Sequence, residues 1–340
     1  MNPDVFRILD ANINRAREAV RVMEDYARFV LDDAAGSALL KAFRHDFATA
    51  VRMLPADALL AARDTPNDVG TGITTASEAQ RGDARDVFTA AAKRMPEALR
   101  TIEEYGKIVS PDFAARIEAL RYRAYELEAR IASRGERIAH LAKCRLYVIV
   151  TALLCRGDWL DVTRRAIDGG AGSIQLREKS FEDGELLQRA RQLVAVCRER
   201  GVLCIINDRP DIARLADADG VHLGQTDMSV RDARRIIGAD RLIGLSTHNP
   251  EQLREAIAIA PDYIAVGPMF PSTTKPQEHV PGPALLAEAL ASTDIPIVPI
   301  GGITRANISV LRKAGATRVC VCSAVIAAED VAAAARELLA

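Results

Sequence analysis

The residues with the clearest chemical potential sit in the later part of the chain, at points where short apolar runs break into polar turns. In Gln175-Leu176-Arg177-Glu178-Lys179, period-two spacing puts Gln175, Arg177 and Lys179 on one strand face and Ile174 and Leu176 on the other. Two positive charges on an inward face are costly unless they meet an anion or close a structural salt bridge. Asn207-Asp208 and Asp227 end or follow later runs and add two carboxylates. Beside such cations, two carboxylates suit Mg²⁺ held by few protein oxygens and completed by substrate phosphates. They also favour a hard ion over zinc. His222 and His248 lie nearby and read as orienting or core histidines. The long turn GPMFPSTTKPQEHVPG carries Ser272, Thr273, Thr274 and Lys275, the makings of an anion clamp on a loop able to close. Gly301-Gly302 and Cys322-Ser323 end the last two runs, where backbone N–H groups and a helix start can receive a phosphate. The pattern implies a Mg²⁺-assisted pyrophosphate site and a separate monophosphate site. A reaction expelling pyrophosphate needs little beyond charge neutralisation and positioning. No Ser–His–Asp order, activated cysteine setting or Schiff-base lysine is evident.

Such a site needs elements that bring distant turns together. Eight runs qualify as strands: 145–151, 173–178, 202–209, 220–224, 242–248, 263–268, 295–302 and 318–324. Amphipathic or helix-length stretches separate them, including 182–200, 229–237, 250–260, 304–314 and 327–339. This alternation predicts a (β/α)₈ TIM barrel over 141–340, with its site at the C-terminal strand ends. A doubly wound open sheet is the alternative, but the first turn, TALLCRGDW, lacks the Gly-rich pattern such sheets carry.

Residues 1–140 follow a different grammar, holding six of the 21 glycines, and predict an all-α domain. Residues 12–31 place Ala19, Val22, Met23, Tyr26 and Val30 on one helical stripe, with Asn12 or Asn14 as the cap. Further helices are expected over 37–53, 84–108 and 112–139, the turn-rich segment 63–75 lying between the pairs. RAREAVRVMEDYAR (15–28) is echoed by RMPEALRTIEEYGK (94–107), keeping Arg15/Arg94, Glu18/Glu97, Glu24/Glu103 and Tyr26/Tyr105. Two copies fall short of a solenoid and fit paired helices in one bundle. The Arg/Glu pattern also fits a solvated face laced with i,i+3 and i,i+4 pairs.

Composition narrows the function classes. Lys plus Arg is 45 against 46 Asp plus Glu, so nucleic acid and anionic membranes find no electrostatic footprint. No apolar run approaches the ~20 residues that span a bilayer. The opening MNPDVFRILD carries charge where a secretory signal needs an apolar core, so a cytoplasmic location is expected. The six cysteines lack any CxxC spacing and read as small core residues; Cys320 and Cys322 would share a strand face, and a metal or redox pair is the alternative.

The ordered motifs QLREK, INDR, GVHLGQTD, GLSTH, AVGPMFPSTTK, PIGGI and CSA resemble the thiamine phosphate synthase family over about 143–340. The resemblance implies coupling of hydroxymethylpyrimidine diphosphate to a thiazole phosphate, giving thiamine phosphate and pyrophosphate. It implies that Gln175, Arg177, Glu178, Lys179, Asn207, Ser246 and Lys275 hold the pyrimidine diphosphate, with Arg177, Lys179 and Lys275 assisting catalysis. Asp208 and Asp227 would bind Mg²⁺. Ser272, Thr273, Thr274, Gly301, Gly302, Cys322 and Ser323 would hold the thiazole phosphate. The implied chemistry is dissociative, through a pyrimidinylmethyl cation. Ser272 stands where the family usually has Thr, which keeps the hydroxyl. Cys322 stands where an aliphatic residue is usual and would contribute chiefly backbone. A sister family, the thiazole tautomerase, shares the barrel but need not handle a magnesium diphosphate; QLREK, both aspartates and Lys275 argue for the synthase.

NINRAREAVRVMEDYAR, RDTPNDVGT and the EALRTIEEYGK echo resemble the helical extension fused to this synthase in some bacteria. That resemblance implies a hydroxymethylpyrimidine phosphate kinase using ATP, with Asn14, Arg15, Arg17, Arg21, Arg63, Asp64, Asp68 and Thr71 as phosphate-site candidates. No P-loop or kinase Gly-rich signature accompanies it. Two other readings stay open: a helical half that serves as a homo-oligomerisation module, and a barrel that binds thiamine intermediates without catalysis.

Overall fold

The computed structural model describes residues 2–69, 80–272 and 279–340. It divides into two compact units, Met1–Gly135 and Glu136–Ala340. The division falls five residues before the expected 140, because the last long helix runs on through it. Among the described residues no helix is long and apolar enough to cross a membrane.

The first unit is helical: α1 Pro3–Phe29, α2 Ala34–Val51, α3 Ala56–Ala61, α4 Ala84–Val109 and the beginning of α5, Pro111–Lys143. Helix α1 starts about three turns before the expected point. Asn2 caps it, its side chain accepting from the Asp4 amide at 3.1 Å, and Pro3 follows in the first turn. Asn12 is instead buried within the helix, its amide donating back to the Ile8 carbonyl. The apolar face is correspondingly longer and rotated: Val5, Phe6, Leu9, Ile13, Ala16, Val20 and Ala27 join Ala19, Met23 and Tyr26 inside. Val30 lies beyond the helix and is exposed.

Helices α1 and α4, which carry the two echoed segments, pack along one another. The echo extends to the ion pairs. Glu24 meets Arg44 of α2 at 3.4 Å, and its counterpart Glu103 meets Arg121 of α5 at 2.8 Å. Glu103 is buried and also receives Arg100 at 2.6 Å. A carboxylate with two guanidiniums is the form in which a buried charge is tolerated. The tyrosines diverge: Tyr26 is buried and stacked on Phe88 at 4.7 Å, while Tyr105 stands at the surface.

The second unit is a closed parallel barrel. Its strands are β1 Leu146–Val150, β2 Ser173–Leu176, β3 Leu203–Asn207, β4 Gly220–Leu223, β5 Leu242–Thr247, β6 Tyr263–Val266, β7 Ile297–Pro299 and β8 Val319–Val321. Neighbours pair in sequence order, β1 also pairs with β8, and a bridge from Ile300 to Cys320 joins the β7 and β8 ends. Around it lie α6 Trp159–Asp168, α7 Asp183–Arg200, α8 Pro210–Leu215, α9 Val230–Ile237, α10 Pro250–Ile259, α11 Gly282–Ser292, α12 Ile308–Lys313, α13 Ser323–Ile326 and α14 Val331–Leu339.

Strand alternation splits the core in two. Val148, Val150, Ile174, Leu176, Ile206 and Val221 pack in the layer shared with the helices. Tyr147, Ile149, Leu203, Ile205, Tyr263, Val298 and Cys320 fill the barrel, joined by Leu141 and Cys144 near the end of α5. All six cysteines are free thiols, four of them buried. Burial pushes the Cys144 and Cys322 thiols up to about 11. The strand face expected to pair Cys320 with Cys322 is shorter than the sequence suggests, since β8 ends at Val321.

Candidate active site

A cavity of about 750 Å³ opens at the C-terminal ends of the strands. It gathers Gln175, Arg177, Lys179, Asn207, Asp208, Asp227, Ser246, Ser272, Gly301, Gly302, Cys322 and Ser323. These come from seven different strand ends, so only closure of the barrel could bring them to one space. Thr273, Thr274 and Lys275 fall outside the described residues, as does Thr71. Glu178 does not line the cavity. One step out of phase with Arg177, its carboxylate accepts from the Ala152 amide at 2.7 Å and so braces the turn after β1.

On one side, Lys179 reaches Asp208 at 3.1 Å. The inward cation of the strand-two tail thus meets a carboxylate of the same cavity. Asp208 takes left-handed backbone (φ 62°), where Asp is among the few tolerated side chains. Its amide donates to the His222 carbonyl at 2.8 Å, tying the β3 turn to β4. Asp227 accepts from the Gly224 amide at 2.7 Å. Burial, with the adjacent Asp208 carboxylate, raises the Asp227 pKa. A carboxylate whose ionisation is disfavoured by burial and by a second carboxylate beside it belongs to a donor set that a hard divalent cation would stabilise. The residues therefore fit Mg²⁺. Among the described residues no cluster of three or more His, Cys, Asp or Glu offers an all-protein metal cage.

Across the cavity the backbone, rather than charge, shapes the surface. Gly301 (φ 98°) and Gly302 (φ 64°) both take positive φ. A Cβ on Gly302 would lie 2.5 Å from the carbonyl oxygens of both Phe270 and Pro271. The loop after β6 therefore runs directly against the loop after β7, held by the Phe270 amide donating to the Gly301 carbonyl at 3.0 Å. Ser323 opens the short α13 beside this pair.

Residues 146–325, more than half of the chain, match the family model described as thiamine monophosphate synthase. The chain belongs to this family. A thiamine-phosphate synthase from Rhodopirellula baltica is 43% identical over 94% of this chain and 88% of its own length. Another, from Thermosynechococcus vestitus, is 43% identical over 98% of this chain and 93% of its own. Thiamine phosphate pyrophosphorylase from Pyrococcus furiosus superposes with a TM-score of 0.54 at 36% identity, covering 58% of this chain and 95% of that one. Residues 7–130 match the ThiD2 family model, so the chain joins a thiamine-phosphate synthase barrel to a helical unit similar to that second family.

Within the synthase cavity, the sequence did not reveal the part played by the buried histidine and tyrosines. His222 bonds Tyr263 through Nδ1 at 3.1 Å and Ser246 through Nε2 at 2.8 Å. Both ring nitrogens are engaged by hydroxyls, as befits an orienting residue rather than a ligand. His248 is held through Nδ1 by the Gly267 carbonyl at 2.6 Å. Tyr263 in turn depends on a glycine: a Cβ on Gly244 would sit 2.0 Å from its Cζ. With that ring fully buried, Gly244→Ala is expected to cost about 1–3 kcal/mol. Chemical denaturation of the variant checks this, and an unchanged midpoint would contradict the placement.

The candidates of the helical unit are distributed differently. Arg15, Arg17 and Arg21 are exposed along α1. Arg63 is held by Asp10 through two bonds of 2.8 Å, and Asp64 accepts from Asn67 at 3.0 Å. Arg63 and Asp64 thus pin the segment after α3 to its surroundings in the same unit.

Proposed function

We propose that the barrel couples 4-amino-2-methyl-5-hydroxymethylpyrimidine diphosphate with 4-methyl-5-(2-hydroxyethyl)thiazole phosphate, yielding thiamine phosphate and pyrophosphate. The observation that carries this reading is the meeting, in one cavity, of a carboxylate–cation side (Asp208, Asp227, Lys179, Arg177) and a glycine-shaped side (Gly301, Gly302, Ser323). The first suits a diphosphate and the second a monophosphate. Arg177 and Lys179 neutralise the leaving diphosphate as the methylene C–O bond breaks and its electron pair passes to pyrophosphate. Mg²⁺, held by Asp208 and Asp227, would supply further stabilisation of that charge. The thiazole nitrogen then contributes its lone pair to the pyrimidinylmethyl cation, forming the C–N bond. Lys275, with Thr273 and Thr274, completes the two anion sites in this reading. Gln175, Asn207 and Ser246 orient the pyrimidine. The six free thiols support a reducing, cytoplasmic setting.

For the helical unit, the match of residues 7–130 to the ThiD2 family supports ATP-dependent phosphorylation of hydroxymethylpyrimidine phosphate. The chain would then make the diphosphate in one unit and consume it in the other. Full-length protein given Mg²⁺, the pyrimidine monophosphate and thiazole phosphate should form thiamine phosphate with ATP and none without it. Product from the diphosphate but never from the monophosphate would leave the helical unit as an assembly module, with oligomeric state as its readout. No product from either substrate would overturn the barrel reading.

A further inference from the structure

Inside the barrel, Tyr147 of β1 and Tyr263 of β6 meet hydroxyl to hydroxyl at 3.0 Å. Both rings are buried and neither lines the cavity. Each hydroxyl is also bonded to a side chain that does line it. Gln175 Nε2 donates to the Tyr147 hydroxyl at 2.8 Å, and the Tyr263 hydroxyl meets His222 Nδ1. His222 Nε2 then reaches Ser246 Oγ. Five side chains from β1, β2, β4, β5 and β6 thus form one continuous hydrogen-bonded chain whose two ends face the cavity.

Counting protons gives the chain a direction. An amide nitrogen only donates, so the Tyr147 oxygen accepts from Gln175; buried, and with no other acceptor among the described residues, its single hydrogen passes to Tyr263. The single Tyr263 hydrogen is left for His222 Nδ1, which must therefore be the bare nitrogen. Nε2 carries the proton and donates to Ser246 Oγ. The hydrogen of Ser246 is then free to turn toward the cavity, while Gln175 Oε1 remains an acceptor. Burial raises both phenols above their ordinary range, so their hydrogens stay in place.

We propose that Gln175, Tyr147, Tyr263, His222 and Ser246 act as one relay, which holds His222 as the Nε2–H tautomer and ties the hydrogen-bond polarity of Ser246 to that of Gln175. Tyr147 and Tyr263 are positioning residues, acting through the three groups that line the cavity. The kinetic consequence rests on the proposed reaction. A ligand that donates to Gln175 and accepts from Ser246, as a heteroaromatic ring with an amine beside a ring nitrogen can, meets a prearranged pair. Tyr263→Phe should raise KM for the pyrimidine diphosphate about tenfold and leave that for the thiazole phosphate unchanged.

The relay itself is read without substrate, from long-range ¹H–¹⁵N correlation spectra of ligand-free full-length protein labelled at histidine, with His222→Gln identifying the resonance. Wild type should show the Nε2–H pattern; Nδ1–H or an imidazolium at about pH 8 would overturn the stated direction. Gln175→Glu replaces the terminal donor by an acceptor. Tyr147 must then donate to it and Tyr263 to Tyr147, so His222 should switch to Nδ1–H. With Tyr147→Phe in place, the His222 pattern should be the same whether residue 175 is Gln or Glu. A His222 pattern indifferent to Gln175→Glu in the otherwise native chain would overturn the coupling. Should that variant not fold, Tyr263→Phe, which removes one hydroxyl, should turn His222 into a tautomer mixture; an unaltered Nε2–H pattern there overturns the relay equally. A failed coupling assay beside an intact tautomer pattern would count against the reaction alone.

Discussion

Asp208→Asn and Asp227→Asn should each lower turnover about 10²–10³-fold, with the concentration of Mg²⁺ needed for half-maximal rate rising in both variants. Asparagine makes this a test of charge rather than shape. At position 208 the backbone is left-handed, a conformation asparagine tolerates as well as aspartate does. At position 227 the amide oxygen can still accept from the Gly224 amide, which the native carboxylate meets at 2.7 Å. Asp208→Asn also removes the partner of Lys179, but that lysine is more than half exposed, and exposed pairs contribute little stability. What both variants lose is negative charge beside Arg177 and Lys179, where a metal-bound diphosphate would sit. Steady-state rates across a Mg²⁺ titration, with thermal denaturation as a folding control, separate the possibilities. Near-normal turnover and Mg²⁺ dependence in a folded variant would remove the two aspartates from the metal site.

The barrel was legible because its signals are local. Each strand is a short β-branched run ending in a polar or glycine turn, and runs such as YIAV and LYVIV can only alternate between the helix layer and the interior. The cavity followed by topology, since residues at the ends of successive parallel strands must converge. What stayed hidden depends on contacts between residues far apart in sequence. The relay joins positions 147, 175, 222, 246 and 263, and no spacing rule connects a tyrosine on β1 with one on β6. Gly244 likewise looks like any strand glycine until the Tyr263 ring is found in the space of its missing side chain. The start of α1 was missed for a different reason. Asn2-Pro3-Asp4 is a legitimate helix start, but Asn12 and Asn14 compete as caps, and only the burial of Val5, Phe6 and Leu9 decides between them. In Glu178 the alternation rule was available and the motif obscured it: a residue between Arg177 and Lys179 should face away from them, and it does.

Gly302→Ala is expected to disable the opposite wall of the site. A residue with a side chain at φ 64° meets a left-handed penalty of about 1–2 kcal/mol, and here that penalty is the smaller difficulty. The new Cβ would lie 2.5 Å from two carbonyl oxygens, those of Phe270 and Pro271, which are backbone atoms and cannot rotate aside as a side-chain tip would. The loops cannot easily part. The Met269 amide donates to the Ile300 carbonyl at 2.9 Å, the Phe270 amide to that of Gly301 at 3.0 Å, and Asn307 Nδ2 to that of Gly302 at 2.8 Å. Relief of the clash must break some of these bonds and displace the backbone that shapes the proposed monophosphate site. The expected result is a rise of at least about thirtyfold in KM for the thiazole phosphate, some 2 kcal/mol. The barrel's melting temperature should fall by several degrees, and KM for the pyrimidine diphosphate should change far less. Gly184→Ala is the matched control. In the first turn of α7, a Cβ there meets nothing within 4 Å and the backbone φ is not positive, so the same substitution should be neutral or slightly stabilising. A Gly302→Ala enzyme with native affinity for the thiazole phosphate would move the monophosphate away from the β7 turn, whatever became of its stability.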